Sequence, residues 1–461
     1  MTLAADAGHT ADVPIAASRK LGPSARVIEN WDANDPASWD PKIAWRTLNI
    51  TTYNLTLAFV TWYLVSAFAV RLPGVGFDLS TSQLFWLTAM PGLAAGILRM
   101  IWTFLPPVVG PRRLVTFSPL LLLVPLLGWG FAVQDPSTPF GVLLLLAFLA
   151  GIGGGNFSGF MPSTSYFFPK SKQGTVLGIQ AGIGNFGVSL VQFLAPWLIG
   201  FAMLGGLLGS SQRFEANGLP ADDLWLQNAA FFWVPFVLVG AGLAWFFLRS
   251  VPVQANFKQQ RDIFREKHTW VMTALYLMTF GAFSGLAATF AILIRDVYGD
   301  FPDRPDPLAW AFLGPLVGSA VRVVWGPLTD RFGGAFWTTI SGIGIAVSAV
   351  FTSFFLTPDD RGDFTWFVVG MLGVFFFAGI GNASTFRQMP MIFEPRQAGG
   401  VIGFTAAVAA LGPFLASILL AWVISWQGDG RPFFHGLAIY CALCVGLNWW
   451  YYQRKGAEKP C

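Results

Sequence analysis

The chain has 461 residues, 54% of them hydrophobic and only 11% charged, with a formal net charge of +4. By length it could hold two or three soluble domains, but such domains carry about 25% charged residues. This deficit, and the confinement of most charges to short stretches between long apolar runs, exclude a soluble protein.

In chain order, residues 1–45 come first as a polar segment. It holds no short apolar stretch followed by a cleavage site, so no signal peptide is expected and the first apolar run acts as the insertion signal. Twelve apolar runs follow, at 47–70, 83–106, 112–133, 138–168, 172–205, 224–249, 269–295, 307–329, 335–357, 364–393, 397–426 and 433–453. Each is long enough to cross a hydrocarbon core of about 30 Å as a helix. A spanning segment must satisfy its own backbone hydrogen bonds, which selects helix over extended chain. The expected fold is an all-α membrane protein with twelve transmembrane helices in two six-helix halves. The halves are 46–249 and 269–453, joined by a cytoplasmic linker at 250–268 and followed by a tail at 454–461.

The basic residues set the orientation. With both termini in the cytoplasm, the inner side carries about three times as many Lys and Arg as the outer loops, which hold only Arg71, Arg213, Arg295, Arg304, Arg361 and Arg431. The basic balance therefore follows topology. The expected partner is the lipid bilayer and not nucleic acid. Every Asp and Glu falls in a loop, a tail or a membrane boundary, and His268 and His435 sit at predicted helix starts. The ionisable groups within the spans are arginines: Arg99, Arg322 and Arg387. Arg387 is near the end of its span and can snorkel to the cytoplasmic surface, the alternative being a role in gating. An arginine at the bilayer centre costs at least about 2.5–3.5 kcal/mol. With no carboxylate at that depth, the counter-charge expected for Arg99 and Arg322 is a substrate anion. The alternative is a guanidinium held by backbone carbonyls or water.

An internal repeat places the pair. Aligning 91–110, PGLAAGILRMIWTFLPPVVG, with 314–333, GPLVGSAVRVVWGPLTDRFG, matches Arg99 to Arg322, Trp102 to Trp325 and Gly110 to Gly333. A similar offset matches Gly174, Gly178 and Gly187 to Gly399, Gly403 and Gly412. Parallel six-helix repeats of this kind are the major-facilitator arrangement, whose sites lie near the midplane between the repeats. Arg99 lies eight residues before Pro107 and Arg322 eight before Asp330, which puts both about 12 Å inside the inner boundary. Two guanidiniums at equal depth could grip a planar oxyanion through paired N–H donors.

Glycine is the second signal. Gly178, Gly182, Gly184 and Gly187 on helix 5, with Gly403 and Gly412 on helix 11, permit close helix approach and sliding. A dinucleotide loop would need a preceding strand, which is lacking. Cys441 and Cys444 form a CxxC inside an apolar span and read as one turn of buried helix rather than a metal site. No catalytic constellation is visible, so no enzyme, cofactor or metal is expected.

The stretches 83–102, 150–192 and 398–414 resemble the bacterial NarK-type nitrate/nitrite porters of the major facilitator superfamily, and the resemblance runs from about Trp31 to the last helix. The glycine-rich stretches of helices 5 and 11 resemble that family's paired nitrate signatures, with Ala410 and Pro413 departing from them. The resemblance implies a monomeric, multi-pass protein of the bacterial cytoplasmic membrane that imports nitrate in exchange for nitrite. It implies that Arg99 and Arg322 clamp the anion, that Asn185 and Tyr276 lie at the site, and that Phe157 and Phe280 supply its aromatic walls. The chemistry suits nitrate, a planar anion with three acceptor oxygens and two flat faces. Asn185 and Tyr276 can add neutral donors. Two other readings stay open. Nitrate–proton symport requires a titratable relay at depth, and an anion sensor would be expected to carry a signalling domain.

Overall fold

The computed structural model describes residues 26–215, 221–251 and 262–461. Residues 1–25 of the expected polar segment and 252–261 of the expected linker lie outside the described residues. Helix 1 is Pro41–Ala69. The remaining spanning helices are helix 2 (Thr81–Trp102), helix 3 (Pro111–Ala132), helix 4 (Phe140–Ser165), helix 5 (Lys170–Ile199), helix 6 (Asn228–Phe247), helix 7 (Lys267–Tyr298), helix 8 (Pro307–Thr329), helix 9 (Gly334–Ser353), helix 10 (Asp363–Ile392), helix 11 (Gln397–Gln427) and helix 12 (Arg431–Gln453). These eleven are long and apolar enough to cross a membrane. Helix 1 is also long enough, with 29 residues, but Thr51, Thr52, Asn54, Thr56 and Thr61 lower its hydropathy.

Local chemistry sets several boundaries. Asp40 caps helix 1 by accepting from the Lys42 amide at 2.8 Å, with Pro41 in the first turn. Ser80 and Gln83 close a capping box at the start of helix 2. Helix 11 is interrupted between Ala409 and Gly412. Pro413 has no N–H to give the Ala409 carbonyl, so the ladder cannot run through. Helix 4 is interrupted at Gly151. Helix 7 carries a π turn at Leu277–Gly281, the kind of irregularity often found at functional sites.

One predicted boundary is corrected. The sixth span was placed from 224, but its helix begins at Asn228. Residues Asp222–Leu224 instead pair antiparallel with Gln212–Phe214. Gln212 holds this ribbon by donating to the Gln227 side chain at 2.8 Å and accepting from the Leu226 amide at 2.9 Å.

The packing separates interior helices from outer ones. Helix 7 is 94% buried along its apolar window, whereas helix 12 is 22% buried, so helix 7 lines the interior and helix 12 faces outward. Large apolar side chains such as Trp197, Phe246 and Phe354 are exposed on the perimeter, as a lipid-facing surface requires. The first six helices meet the last six mainly where helix 2 packs on helix 11 and helix 5 on helix 8.

Candidate functional site

The site is built where helices 1, 2, 4, 5, 7, 8, 10 and 11 converge. Arg99 of helix 2 is fully buried and Arg322 of helix 8 is 5% exposed. The two guanidiniums lie within electrostatic reach of each other. No Asp or Glu side chain is buried among the described residues, so neither arginine has an acidic partner in the interior.

Arg99 is held by backbone instead. Its Nε donates to the Gly154 carbonyl at 2.9 Å and its Nη1 to the Ala406 carbonyl at 2.8 Å. The interrupted helices present these acceptors. Gly154 is near the start of the second segment of helix 4, and Ala406 lies in the last turn before the break in helix 11, at the negative end of a helix dipole. Nη2 remains buried without a hydrogen-bond partner. The carbonyl alternative raised from sequence therefore accounts for two of the three guanidinium nitrogens of Arg99, and the third has no partner.

Aromatic rings close the space. The Arg99 guanidinium lies over Phe157 (4.6 Å), Trp62 (5.3 Å) and Phe280 (5.4 Å). Tyr276 stacks on Phe280 at 5.4 Å and meets Phe386 at 5.0 Å, and Phe386 lies 5.0 Å from the Arg322 guanidinium. A continuous path of rings thus joins one arginine to the other. A desolvated cation–π contact contributes about 2 kcal/mol, which offsets part of the burial cost of each charge.

The neutral donors flank Arg322. With its amide oxygen turned toward helix 8, Asn185 accepts from Arg322 Nη1 at 3.1 Å and donates to the Ala181 carbonyl at 3.3 Å. The Tyr276 hydroxyl is buried against the Arg322 guanidinium, and among the described residues no acceptor faces its hydrogen. Nearby, Ser319 on helix 8 also has a buried hydroxyl without a partner.

The predicted packing glycines divide. A Cβ at Gly187 would strike the Thr56 carbonyl of helix 1, one at Gly182 the Val323 side chain beside Arg322, and one at Gly412 Ser284 and the Gly281 carbonyl of helix 7. A Cβ at Gly184 would lie 2.8 Å from the Leu55 side chain, and one at Gly403 3.0 Å from the Thr103 side chain. Gly178 faces open space and is not a packing glycine in this arrangement.

On the side of the bundle away from the termini, side chains tie the two six-helix sets together. Tyr63 donates to the Ser284 carbonyl at 3.0 Å, Gln192 to the Ala287 carbonyl at 2.9 Å, and Thr88 meets Ser417 at 3.1 Å. Above them Arg71 pairs with Asp306 at 2.6 Å. On the side of the termini, Gly178 and Gly399 open on empty space.

Sequence reasoning missed Phe386, Trp62 and the two carbonyls. Phe386 had a signal: GNFSGF at 155–160 repeats as GNASTF at 381–386, which matches Phe160 to Phe386. The carbonyls had none, because they depend on how the helix breaks pack.

Comparison with known proteins fits this architecture. A family model described as the Major Facilitator Superfamily matches residues 48–392, and the chain belongs to that superfamily. It is similar to the "Probable nitrate/nitrite antiporter NarK2" of Thermus thermophilus, with 66% identity over 94% of this chain and 98% of that protein. It is also similar to the "Nitrate/nitrite transporter NarU" of Escherichia coli strain K12, with 35% identity over 94% of this chain and 97% of the relative. Within the superfamily it is a member of the NarK-type branch. Among solved structures, a bacterial homologue of the human lysosomal transporter Spinster superposes with a TM-score of 0.63 at 15% identity, over 89% of this chain and 97% of that one. That likeness concerns the fold alone.

Proposed function

We propose that this chain is a secondary transporter of the bacterial cytoplasmic membrane, with both termini in the cytoplasm, that imports nitrate in exchange for nitrite. The halves 46–249 and 269–453 rock about a central site in which Arg99 and Arg322 clamp the anion. One observation carries the reading: two buried guanidiniums share an aromatic enclosure with no buried carboxylate among the described residues, one Arg99 nitrogen is left without a partner, and the Tyr276 hydroxyl beside Arg322 has no acceptor for its hydrogen. A small planar anion supplies the missing charge and accepts from both groups. The relatives named for nitrate and nitrite support that choice of anion.

The geometry supports exchange over symport. Burying an unpaired ion costs several kcal/mol even after relaxation. The carbonyls and rings offset part of this for Arg99, and a monovalent anion supplies the rest. Loaded forms therefore interconvert readily, while the empty form is penalised when it closes. The interdomain contacts of Tyr63, Thr88, Gln192 and Arg71 close the outer path in this arrangement. The buried histidine, His268, sits at the cytoplasmic start of helix 7 with Tyr452 and Glu458, away from the anion site.

The test is anion selectivity in proteoliposomes loaded with nitrite. Labelled nitrate should enter and be displaced by nitrate or nitrite, with chloride and sulfate ineffective. Equal displacement by chloride would contradict the assignment of substrate class.

A further inference from the structure

A groove of about 550 Å³ runs along the membrane face between helices 1, 5 and 6, separate from the anion site. Its walls include Leu48, Thr52 and Leu57 of helix 1, Ile183 and Leu194 of helix 5, and Phe236 of helix 6. Ile183 and Phe236 are exposed there, so the groove opens on the perimeter and not into the interior. The Tyr53 hydroxyl donates to the Phe236 carbonyl at 3.2 Å and ties helix 1 to helix 6 across it. The floor on helix 1 runs from Leu48 to Leu57, which is about 13 Å at the helical rise. That is a large part of one leaflet.

The two ends of this groove differ in charge. Lys42, Arg46, Asn49 and Tyr53 follow one another at helical spacing on one face of helix 1, and Asn49 and Tyr53 line the groove. The stripe therefore leads from two basic residues at the cytoplasmic end into the apolar channel. Arg46 Nε is buried and has no hydrogen-bond partner. At the same end, helix 5 starts with exposed Lys170 and Lys172. Beyond the outer ends of helices 5 and 6, the short ribbon carries exposed Glu215, Asp222 and Asp223 against one exposed cation, Arg213, which lies 3.7 Å from Glu215, so its balance is acidic. An apolar slot with cations at its inner end and acids beyond its outer end matches an anionic lipid of the inner leaflet and disfavours one from the outer leaflet.

We propose that this groove is a binding site for an anionic phospholipid of the cytoplasmic leaflet, with an acyl chain along helices 1, 5 and 6 and its phosphate at Lys42 and Arg46. The site lies on the outward face of helix 5, the helix whose inner faces carry Asn185 and the close contacts of Gly182 and Gly187. A bound lipid would brace helix 5 against helix 1 from outside.

Phospholipid retained by the purified protein, identified by class with mass spectrometry, tests the proposal. The wild type should retain anionic phospholipid enriched severalfold over its share of the membrane. Ile183→Trp, which fills the slot, should lose that enrichment. Lys42→Gln with Arg46→Gln should keep a phospholipid but lose the preference for anionic headgroups. Each variant is accepted if it elutes as the wild type does on size exclusion and keeps the wild type's helical circular-dichroism spectrum. If a folded Ile183→Trp retains the same anionic lipid, the groove is not the site. If headgroup selectivity survives the double substitution, the basic stripe is not the phosphate anchor. Retention at bulk membrane ratios by the wild type overturns the proposal as a whole. None of these readouts depends on which anion is transported.

Discussion

Replacing Arg99 by Lys keeps the charge and removes the fork. In the structure the guanidinium gives Nε to Gly154 and Nη1 to Ala406, at 2.9 and 2.8 Å, and keeps Nη2 for a ligand. A lysine has one nitrogen on a flexible stem and cannot serve two fixed carbonyls and an anion with the same geometry. If it stays on the carbonyls, the anion loses a charge-assisted hydrogen bond. If it turns to the anion, two buried acceptors on helices 4 and 11 are left empty. Either outcome costs about 1.5–3 kcal/mol, which corresponds to roughly a 10- to 150-fold loss of affinity. Arg322→Lys should behave alike, because Arg322 Nη1 is already committed to Asn185. The assay is nitrate counterflow into nitrite-loaded proteoliposomes at subsaturating nitrate, with protein content equalised and monodispersity checked. Near-normal exchange by both Lys variants would refute the clamp, since charge alone would then suffice.

Three further predictions follow from the same geometry. Gly182→Leu and Gly187→Leu should insert into the membrane but exchange poorly, because the added bulk meets Val323 and the Thr56 carbonyl; normal exchange by both would show that close approach of helix 5 plays no part in the cycle. Asp306→Asn removes the 2.6 Å ion pair that bridges the two halves on the side away from the termini; a cysteine introduced at Thr88 should then react faster with an impermeant maleimide applied to that side, and exchanging the charges of Arg71 and Asp306 should restore protection. Lys267 at 2.7 Å holds the Glu458 carboxyl below its ordinary pKa. This tail contact is therefore complete at neutral pH and is lost only as pH falls through that depressed value. Glu458→Gln should accordingly speed alkylation of Cys461 at neutral pH, where burial otherwise raises the thiol's pKa, and unchanged alkylation would mean that the tail is held by its other contacts.

Much of the fold was legible because lipid leaves few options: apolar runs of sufficient length must be helices, and the repeat around Arg99 and Arg322 showed which charges share a depth. Helix interruptions were less visible. The π turn at Leu277–Gly281 and the stop before Gly412 depend on packing around helix 7, although Pro413 marked the second. The short ribbon of Gln212–Phe214 and Asp222–Leu224 read partly as helix because Leu224 and Trp225 extend an apolar run, while Gln212 and Gln227 supply the side-chain bonds that hold it as strand. Arg99, Arg322, Asn185, Tyr276, Phe157 and Phe280 converge on one interior region. Phe386 was written in the repeat and not read. That Arg99 spends two donors on carbonyls follows from tertiary packing of two broken helices, which no linear pattern encodes.

The central claim is that the two arginines make the carrier cross the membrane loaded, so that transport is exchange. The most direct measurement loads proteoliposomes with nitrite, with chloride or with neither, and follows labelled nitrate uptake with and without an imposed pH gradient. Uptake is expected only into nitrite-loaded vesicles, at a rate independent of the gradient. Strong gradient-driven uptake into nitrite-free vesicles would contradict the account and assign the chain to proton symport.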